Sequence, residues 1–185
     1  MPDSPQNLWA PWRMAYLENL SEPGPDPEAP PPLQRGNGCF LCDAARDDLT
    51  QQEADDRLVL RRYPSTVLLL NRYPYANGHL LIAPHQHAAE LSELTPQCRA
   101  ELMETAELAT RLLKAACHCQ GVNLGLNLGR AAGAGVPGHL HLHAVPRWNG
   151  DTNFMQTIPG VRVIPQALEQ SYTRLRETLA SMDDV

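Results

Sequence analysis

The sequence predicts an α+β fold, an antiparallel sheet of about five strands with one long helix and a shorter one. Three observations carry this prediction. Apolar runs of strand length follow one another too closely for parallel crossovers. One apolar stripe recurs at helical spacing over a single long segment, and turn residues separate the elements. The 185 residues suffice for one domain with appendages that buries its own core.

Composition excludes several classes of function. The chain has 15 Lys and Arg against 21 Asp and Glu, a net charge of −6, which argues against a general nucleic-acid surface. No apolar run approaches the ~20 residues of a membrane helix, and no basic segment followed by an apolar core marks a secretory signal. Five cysteines in such a chain favour the reducing cytoplasm, where thiols serve as core residues or metal ligands.

The chain divides into three segments. Residues 1–20 form an N-terminal aromatic anchor, because Leu8–Leu17 (L-W-A-P-W-R-M-A-Y-L) is too apolar for a free tail. Residues 21–37 contain six prolines and have the composition of an extended linker. We therefore expect residues 38–185 to form the main domain together with a C-terminal extension.

Each element follows from a local pattern. Thr95 as N-cap and Pro96 at the first helical position begin the long helix, whose stripe ends before Gly121. After Val161 we expect a short strand, and then the shorter helix at Gln166–Met182. Apolar runs bounded by turn residues predict the strands of the sheet, which are Leu58–Leu60, Thr66–Leu70, His79–Ala83, Val122–Asn127 and His139–Val145.

The last of these strands carries three histidines at alternate positions, in the run G-H-L-H-L-H-A-V-P. A period of two places His139, His141 and His143 on one face, with neighbouring rings ~7 Å apart. Because most imidazoles are neutral at pH 7, each offers a ring nitrogen as a nucleophile, base or metal ligand. A structural metal site, and a surface strand that alternates by chance, are the alternatives.

A glycine-rich loop precedes the histidines. Residues 127–138, N-L-G-R-A-A-G-A-G-V-P-G, include four glycines, whose backbone N–H groups can approach an anion closely. The loop is weak evidence alone, because it is neither a Walker A sequence nor a G-x-G-x-x-G between strand and helix. Beside a row of imidazoles, it indicates phosphoryl or nucleotidyl transfer.

These motifs resemble those of the histidine-triad (HIT) family. The family signature, His-φ-His-φ-His-φ-φ, is met by His139–Val145, and N-R-Y-P-Y-A-N-G-H-L-L-I-A-P resembles the ribose-holding strands. W-A-P-W-R-M-A-Y-L and H-L-H-L-H-A-V-P-R-W-N-G-D-T-N-F further resemble the bacterial diadenosine tetraphosphate phosphorylase branch. The resemblance implies a HIT fold that pairs into a homodimer with one continuous sheet.

The resemblance also implies roles for the three histidines. His141 would be the nucleophile that attacks the α-phosphorus of a nucleotide, giving a nucleotidyl-histidine intermediate that water or phosphate resolves. This chemistry requires a lone pair on one ring nitrogen and a fixed proton on the other. His139 and His143 would contact phosphate oxygens or orient the central ring.

The implied substrate-binding residues surround this strand. Asn71 matches the ribose-contacting position and Asn127 matches an amide near the scissile phosphates, with a turn residue as the alternative for each. Trp148 either stacks on a base or packs in the core. The backbone N–H groups expected to stabilise charge on the phosphates are those of Gly133, Ala134 and Gly135.

The pair Cys39-Phe-Leu-Cys42 is half of a typical zinc site. The resemblance implies its completion by His139 and by His87, or His85 in its place, with two small core cysteines as the alternative. A thioredoxin-like redox role is disfavoured, because the pair is expected to precede a strand rather than to open a helix. Zinc would be structural, whereas Mg²⁺ would arrive with the nucleotide.

The leading functional hypothesis is nucleotidyl transfer on dinucleoside polyphosphates, by a phosphorylase or a hydrolase. A nucleoside phosphoramidase is the second hypothesis, although residues 135–138 (G-V-P-G) lack the serine usual in that group. A non-catalytic nucleotide-binding module is the third. All three predict a small nucleotide as the partner, without nucleic acid or a membrane.

Overall fold

The computed structural model of the protein describes residues 38–151 and 166–183. The N-terminal anchor, the linker and the strand expected after Val161 lie outside these residues. Among residues 38–151 and 166–183, no helix is long and apolar enough to cross a bilayer.

Five strands form one antiparallel sheet in the order β1-β2-β3-β5-β4, which confirms the α+β class. The strands are β1 (Val59–Arg62), β2 (Thr66–Leu70), β3 (Leu80–Pro84), β4 (Gly121–Leu126) and β5 (Leu142–Arg147). The helices are α1 (Phe40–Ala45), α2 (Gln51–Asp56), α3 (Pro96–Cys117) and α4 (Leu168–Asp183).

Helix α3 begins and packs as its sequence indicates. The Thr95 side chain accepts a hydrogen bond from the backbone N–H of Cys98, and Pro96 occupies the first turn, where no N–H donor is needed. The predicted stripe is buried, and it comprises Leu102, Ala106, Ala109, Leu113 and Ala116. Helices α3 and α4 cover the same side of the sheet, because both contribute residues to one large core.

Strands β2 and β3 are buried on both faces of the sheet, to which successive side chains point alternately. In β2, Leu68 and Leu70 join the large core under α3 and α4. Val67 and Leu69 join a smaller core that Leu41 of α1 helps to fill. This double covering explains why β2 and β3 are continuous apolar runs rather than alternating ones.

The helix count and the last strand differ from expectation. Helices α1 and α2 were not predicted, because six residues are too few to show an apolar stripe, although the Thr50–Glu53 capping box marks α2. Cys39 is the N-cap of α1, so the expectation that the cysteine pair precedes a strand was wrong. Strand β5 begins at Leu142 rather than His139, because the N–H of Leu140 donates to the Ala88 carbonyl instead of pairing with β3.

Helix α3 offers a direct test of the core. Leu112 is fully buried on α3, whereas Met103 on the same helix is 61% exposed. Leu112→Ala is expected to lower the free energy of unfolding by about 2–5 kcal/mol, through lost burial and the cavity left behind. Met103→Ala should change it by less than about 0.5 kcal/mol. Urea denaturation of both variants measures the difference, and equal effects would contradict this packing.

Candidate functional site

The nucleophile candidate, His141, lies directly before β5 and is only 6% exposed. Its Nδ1 lies 2.8 Å from the backbone carbonyl oxygen of His139. A carbonyl only accepts hydrogen bonds, so Nδ1 carries the proton and Nε2 keeps its lone pair. Burial lowers the pKa of His141, which favours this neutral form. The two requirements for a nucleophilic imidazole are therefore met by one backbone contact.

A chain of hydrogen bonds through Tyr75 and His79, the histidine relay, fixes the proton position of His143, which lies in β5. The backbone N–H of Tyr75 donates to Nδ1 of His79 at 3.1 Å, so the His79 proton must be on Nε2. That proton points at Nδ1 of His143, 2.9 Å away. The His143 proton is consequently on Nε2, a buried atom with no hydrogen-bond partner in the part of the chain described here. His143 thus presents a buried, unused N–H donor.

The rings of these residues are in contact. The centroids of His141 and His143 are 4.9 Å apart, and those of His79 and His143 are 5.1 Å apart. Burial lowers the pKa of His143 to about 4, so the ring is neutral at pH 7. Tyr75 stacks over His143 at 5.8 Å and closes this side of the cluster.

His79 is a site residue for which the sequence predicted no role. It directly precedes β3, and its contact with His143 joins residues 64 positions apart. The signal that could have found it is its place in N-G-H-L-L-I-A-P, a polar residue at the start of an otherwise apolar buried strand. His79 is itself fully buried, which a histidine tolerates only when its ring nitrogens are paired.

Asn71 lies beside the same cluster. Its side-chain oxygen accepts the N–H of Tyr73 at 3.0 Å, and its amide nitrogen lies 3.2 Å from Nδ1 of His79. The amide therefore shapes the turn before β3, which was the alternative interpretation, and also contacts the histidine relay. A ribose contact by Asn71 stays a prediction.

The glycine-rich loop uses part of its own donor capacity. The N–H of Gly133 donates to Arg130 and that of Ala134 to Gly129, both within the loop. Of the three predicted phosphate donors, Gly135 is the one that neither loop bond uses. Gly133 has a φ of +83°, which favours glycine over residues with a side chain. Asn127, at the start of the loop, is half-buried, and its contact with phosphates stays a prediction.

Trp148 packs rather than standing free. Its indole lies against the large core, and Nε1–H donates to the Cys117 carbonyl at 3.2 Å. The backbone N–H of Trp148 donates to Asp151 at 3.1 Å. These contacts match the packing alternative, and stacking of the indole on a base stays a prediction.

A second cluster joins the cysteine pair to two histidines. The four potential ligand atoms of Cys39, Cys42, His87 and His139 lie within 4.8 Å of one another. Nδ1 of His139 lies 3.2 Å from Sγ of Cys39, and Nδ1 of His87 lies 3.2 Å from Sγ of Cys42. His85 is directed elsewhere, since its Nε2 bonds to the Thr66 carbonyl.

This cluster has the donor set that zinc prefers. Two thiols and two imidazoles make a Cys₂His₂ set for tetrahedral coordination. Nε2 of His139 donates to the Pro84 carbonyl at 2.9 Å, which leaves the Nδ1 lone pair facing the thiols. Burial, and then the neighbouring Cys39, raises the pKa of Cys42 to about 11, a penalty that a divalent cation would remove.

Comparison with known proteins identifies the family of the chain. The family model of the HIT domain matches residues 51–150. The chain belongs to the HIT family. This HIT protein is 38% identical over 170 residues to the AP-4-A phosphorylase of Mycobacterium tuberculosis, an alignment that covers 91% of this chain and 82% of that protein.

Solved structures of HIT proteins share the architecture. A Zn-bound histidine triad family protein from Mycobacterium smegmatis superposes with a TM-score of 0.62 at 28% identity, covering 79% of this chain and 96% of that one. A hypothetical histidine triad nucleotide-binding protein from Sulfolobus tokodaii superposes with a TM-score of 0.61 at 26% identity, covering 78% and 94%. The family and fold inferred from the motifs are thereby confirmed.

Proposed function

We propose that this HIT protein transfers nucleotidyl groups from dinucleoside polyphosphates through a covalent intermediate on His141. The observation that carries the proposal is the 2.8 Å contact between Nδ1 of His141 and the His139 carbonyl, which leaves Nε2 free as a nucleophile. Similarity to the AP-4-A phosphorylase supports dinucleoside polyphosphates as the substrate class.

In the proposed reaction, Nε2 of His141 bonds to the α-phosphorus while the bond from phosphorus to the bridging oxygen breaks. The ring becomes cationic, and the His139 carbonyl stabilises it by accepting the Nδ1–H. The unused Nε2–H of His143 is suited to donate to an oxygen of the departing polyphosphate. A phosphate or water oxygen then attacks phosphorus, breaks the P–N bond and restores neutral His141.

The acceptor decides between phosphorylase and hydrolase, and we propose phosphate. The test incubates the protein and diadenosine tetraphosphate with Mg²⁺, the proposed companion of the substrate, with and without ³²P-phosphate. Phosphorolysis predicts ATP and β-labelled ADP, formed only when phosphate is present. AMP and ATP in both tubes would indicate a hydrolase. Absence of turnover would contradict both, and AMP release from an adenosine phosphoramidate would then support the phosphoramidase hypothesis.

We propose that the Cys₂His₂ cluster binds one structural zinc ion. Zinc bound only by the native state would raise its stability by about 2.7 kcal/mol at a hundredfold excess over Kd. Cys42→Ser should therefore reduce zinc content and lower Tm by about 5–10 °C. Atomic absorption and calorimetry measure both effects, with Cys98→Ala, on α3, as the control. Equal zinc content in Cys42→Ser and the wild type would contradict the site.

We also propose a homodimer that forms through β4. This strand is at one edge of the sheet and, among the described strands, pairs only with β5. Leu124 at its centre is 44% exposed, and a bare apolar edge is a template for pairing with another strand. Leu124→Lys should weaken association roughly tenfold or more. Sedimentation measures this against Tyr73→Lys, an exposed residue of the β2–β3 loop, and a monomeric wild type would contradict the proposal.

We also propose that the protein is located in the cytoplasm. All five cysteines are free thiols, which supports the reducing cytoplasm suggested by the composition.

A further inference from the structure

His139 connects the cysteine pair to the nucleophile candidate. Its Nδ1 lies 3.2 Å from Sγ of Cys39 and 3.4 Å from Sγ of Cys42. Its backbone carbonyl accepts the Nδ1–H of His141 at 2.8 Å. One residue, His139, therefore contacts both thiols through its ring and supplies the acceptor that fixes the His141 proton.

The two thiols are placed to form a disulfide. Cys39 is the N-cap of α1 and Cys42 is three residues further along the same turn, so their Cβ atoms are neighbours about 5–6 Å apart. Their sulfur atoms lie within 4.8 Å of each other. A disulfide needs only small adjustments from this arrangement.

Access to the pair is open on one side. Cys39 is buried, whereas Cys42 is half-buried, and His87 beside it is exposed. A small oxidant can therefore reach the Cys42 sulfur, while Cys39 is the resolving thiol behind it.

We propose that a peroxide oxidises Cys39 and Cys42 to a disulfide, and that this modification slows nucleotidyl transfer at His141; its effect on turnover rests on the function proposed above. As the Cys42 sulfur attacks one peroxide oxygen, the thiol proton passes to Nδ1 of His87, 3.2 Å away, and then to the departing hydroxide, which gives a sulfenic acid and one water. The Cys39 sulfur then displaces the sulfenic oxygen as a second water. Two thiols lose two electrons and two protons, and hydrogen peroxide becomes two waters.

The disulfide removes the thiol partners of His139. Its ring loses both S–H partners and keeps the bond from Nε2 to Pro84 and the edge contact with His87. A displaced His139 moves its carbonyl, so the Nδ1–H of His141 loses its fixed acceptor. Supporting residues of this kind are worth roughly 10- to 100-fold in activity, and we expect a fall in kcat of that size with little change in KM.

The experiment treats wild type with hydrogen peroxide and follows three readouts. Peptide mapping by mass spectrometry should find a Cys39–Cys42 disulfide, and ¹⁵N NMR of the imidazoles should show loss of the Nδ1–H form of His141. Turnover of diadenosine tetraphosphate should fall and recover with dithiothreitol. Zinc-loaded protein should oxidise more slowly and release its zinc, because the metal occupies both sulfurs.

Matched variants make the outcome decisive. In Cys42→Ser, turnover relative to its own untreated level should not respond to peroxide, whereas Cys98→Ala should respond like the wild type. A mapped disulfide with unchanged His141 NMR signals would overturn the proposal, and so would failure of the disulfide to form. If the reduced protein shows no turnover, the proposed function fails, while the disulfide map and the NMR signals still decide the coupling to His141.

Discussion

His141→Ala is expected to lower turnover of diadenosine tetraphosphate by about 10⁴-fold or more, because it removes the ring on which we propose that the covalent intermediate forms. The fold should survive, since the backbone of residue 141 remains and alanine fits the vacated space. Circular dichroism and urea denaturation check the fold, and chromatography of the nucleotides measures turnover. His85→Ala is the matched control, because His85 bonds to the Thr66 carbonyl outside the cluster and should leave kcat near its wild-type value.

Two further measurements separate a nucleophile from a merely necessary residue. Quenching wild type with α-³²P-labelled substrate should trap label on the protein, and His141→Ala should trap none. His141→Gly leaves space for an imidazole ring and should accept a nucleoside phosphorimidazolide, which carries the reactive bond ready-made. Label on His141→Ala, or turnover within tenfold of the wild type, would show that another group is the nucleophile.

The parts of the fold that could be predicted from sequence are those governed by local physics. Strand β2 matches its predicted bounds, because four successive apolar residues after Thr66, between turns, leave few alternatives to a doubly covered strand. Helix α3 was found from its cap and its stripe. By contrast, β5 begins three residues late, since the bond from Leu140 to Ala88 joins segments distant in sequence.

The site divides in the same way. The spacing of the histidines at every second residue predicted that they share one face of a strand. It could not show which ring nitrogen carries each proton. The protons of His141 and His79 are set by backbone groups two and four residues away, whereas the proton of His143 is set by His79, 64 positions away in sequence. The sequence offered the loop amides of Gly133 and Ala134 as phosphate donors but could not show that carbonyls within the loop accept their protons, and their contact with phosphate stays a prediction.

Removing the nitrogens of His79 should have the second-largest effect on turnover. His79→Phe keeps a ring of similar size but deletes the donor that faces Nδ1 of His143 at 2.9 Å. His143 is then free to place its proton on Nδ1, and the Nε2–H available to the departing polyphosphate is lost for part of the time. Because removing one pre-organised hydrogen-bond donor costs about 10²–10³-fold, we expect kcat to fall about 100-fold with little change in KM.

His79→Gln distinguishes positioning from packing. A glutamine amide can accept the Tyr75 N–H through its oxygen and donate to His143 through its nitrogen, so it reproduces both ends of the relay. The kcat of His79→Gln should be at least tenfold higher than that of His79→Phe. In His79→Gln, ¹⁵N NMR should again show the proton of His143 on Nε2. If phenylalanine retains more activity than glutamine, His79 acts through its volume alone, because only glutamine carries the nitrogen and oxygen that the relay requires.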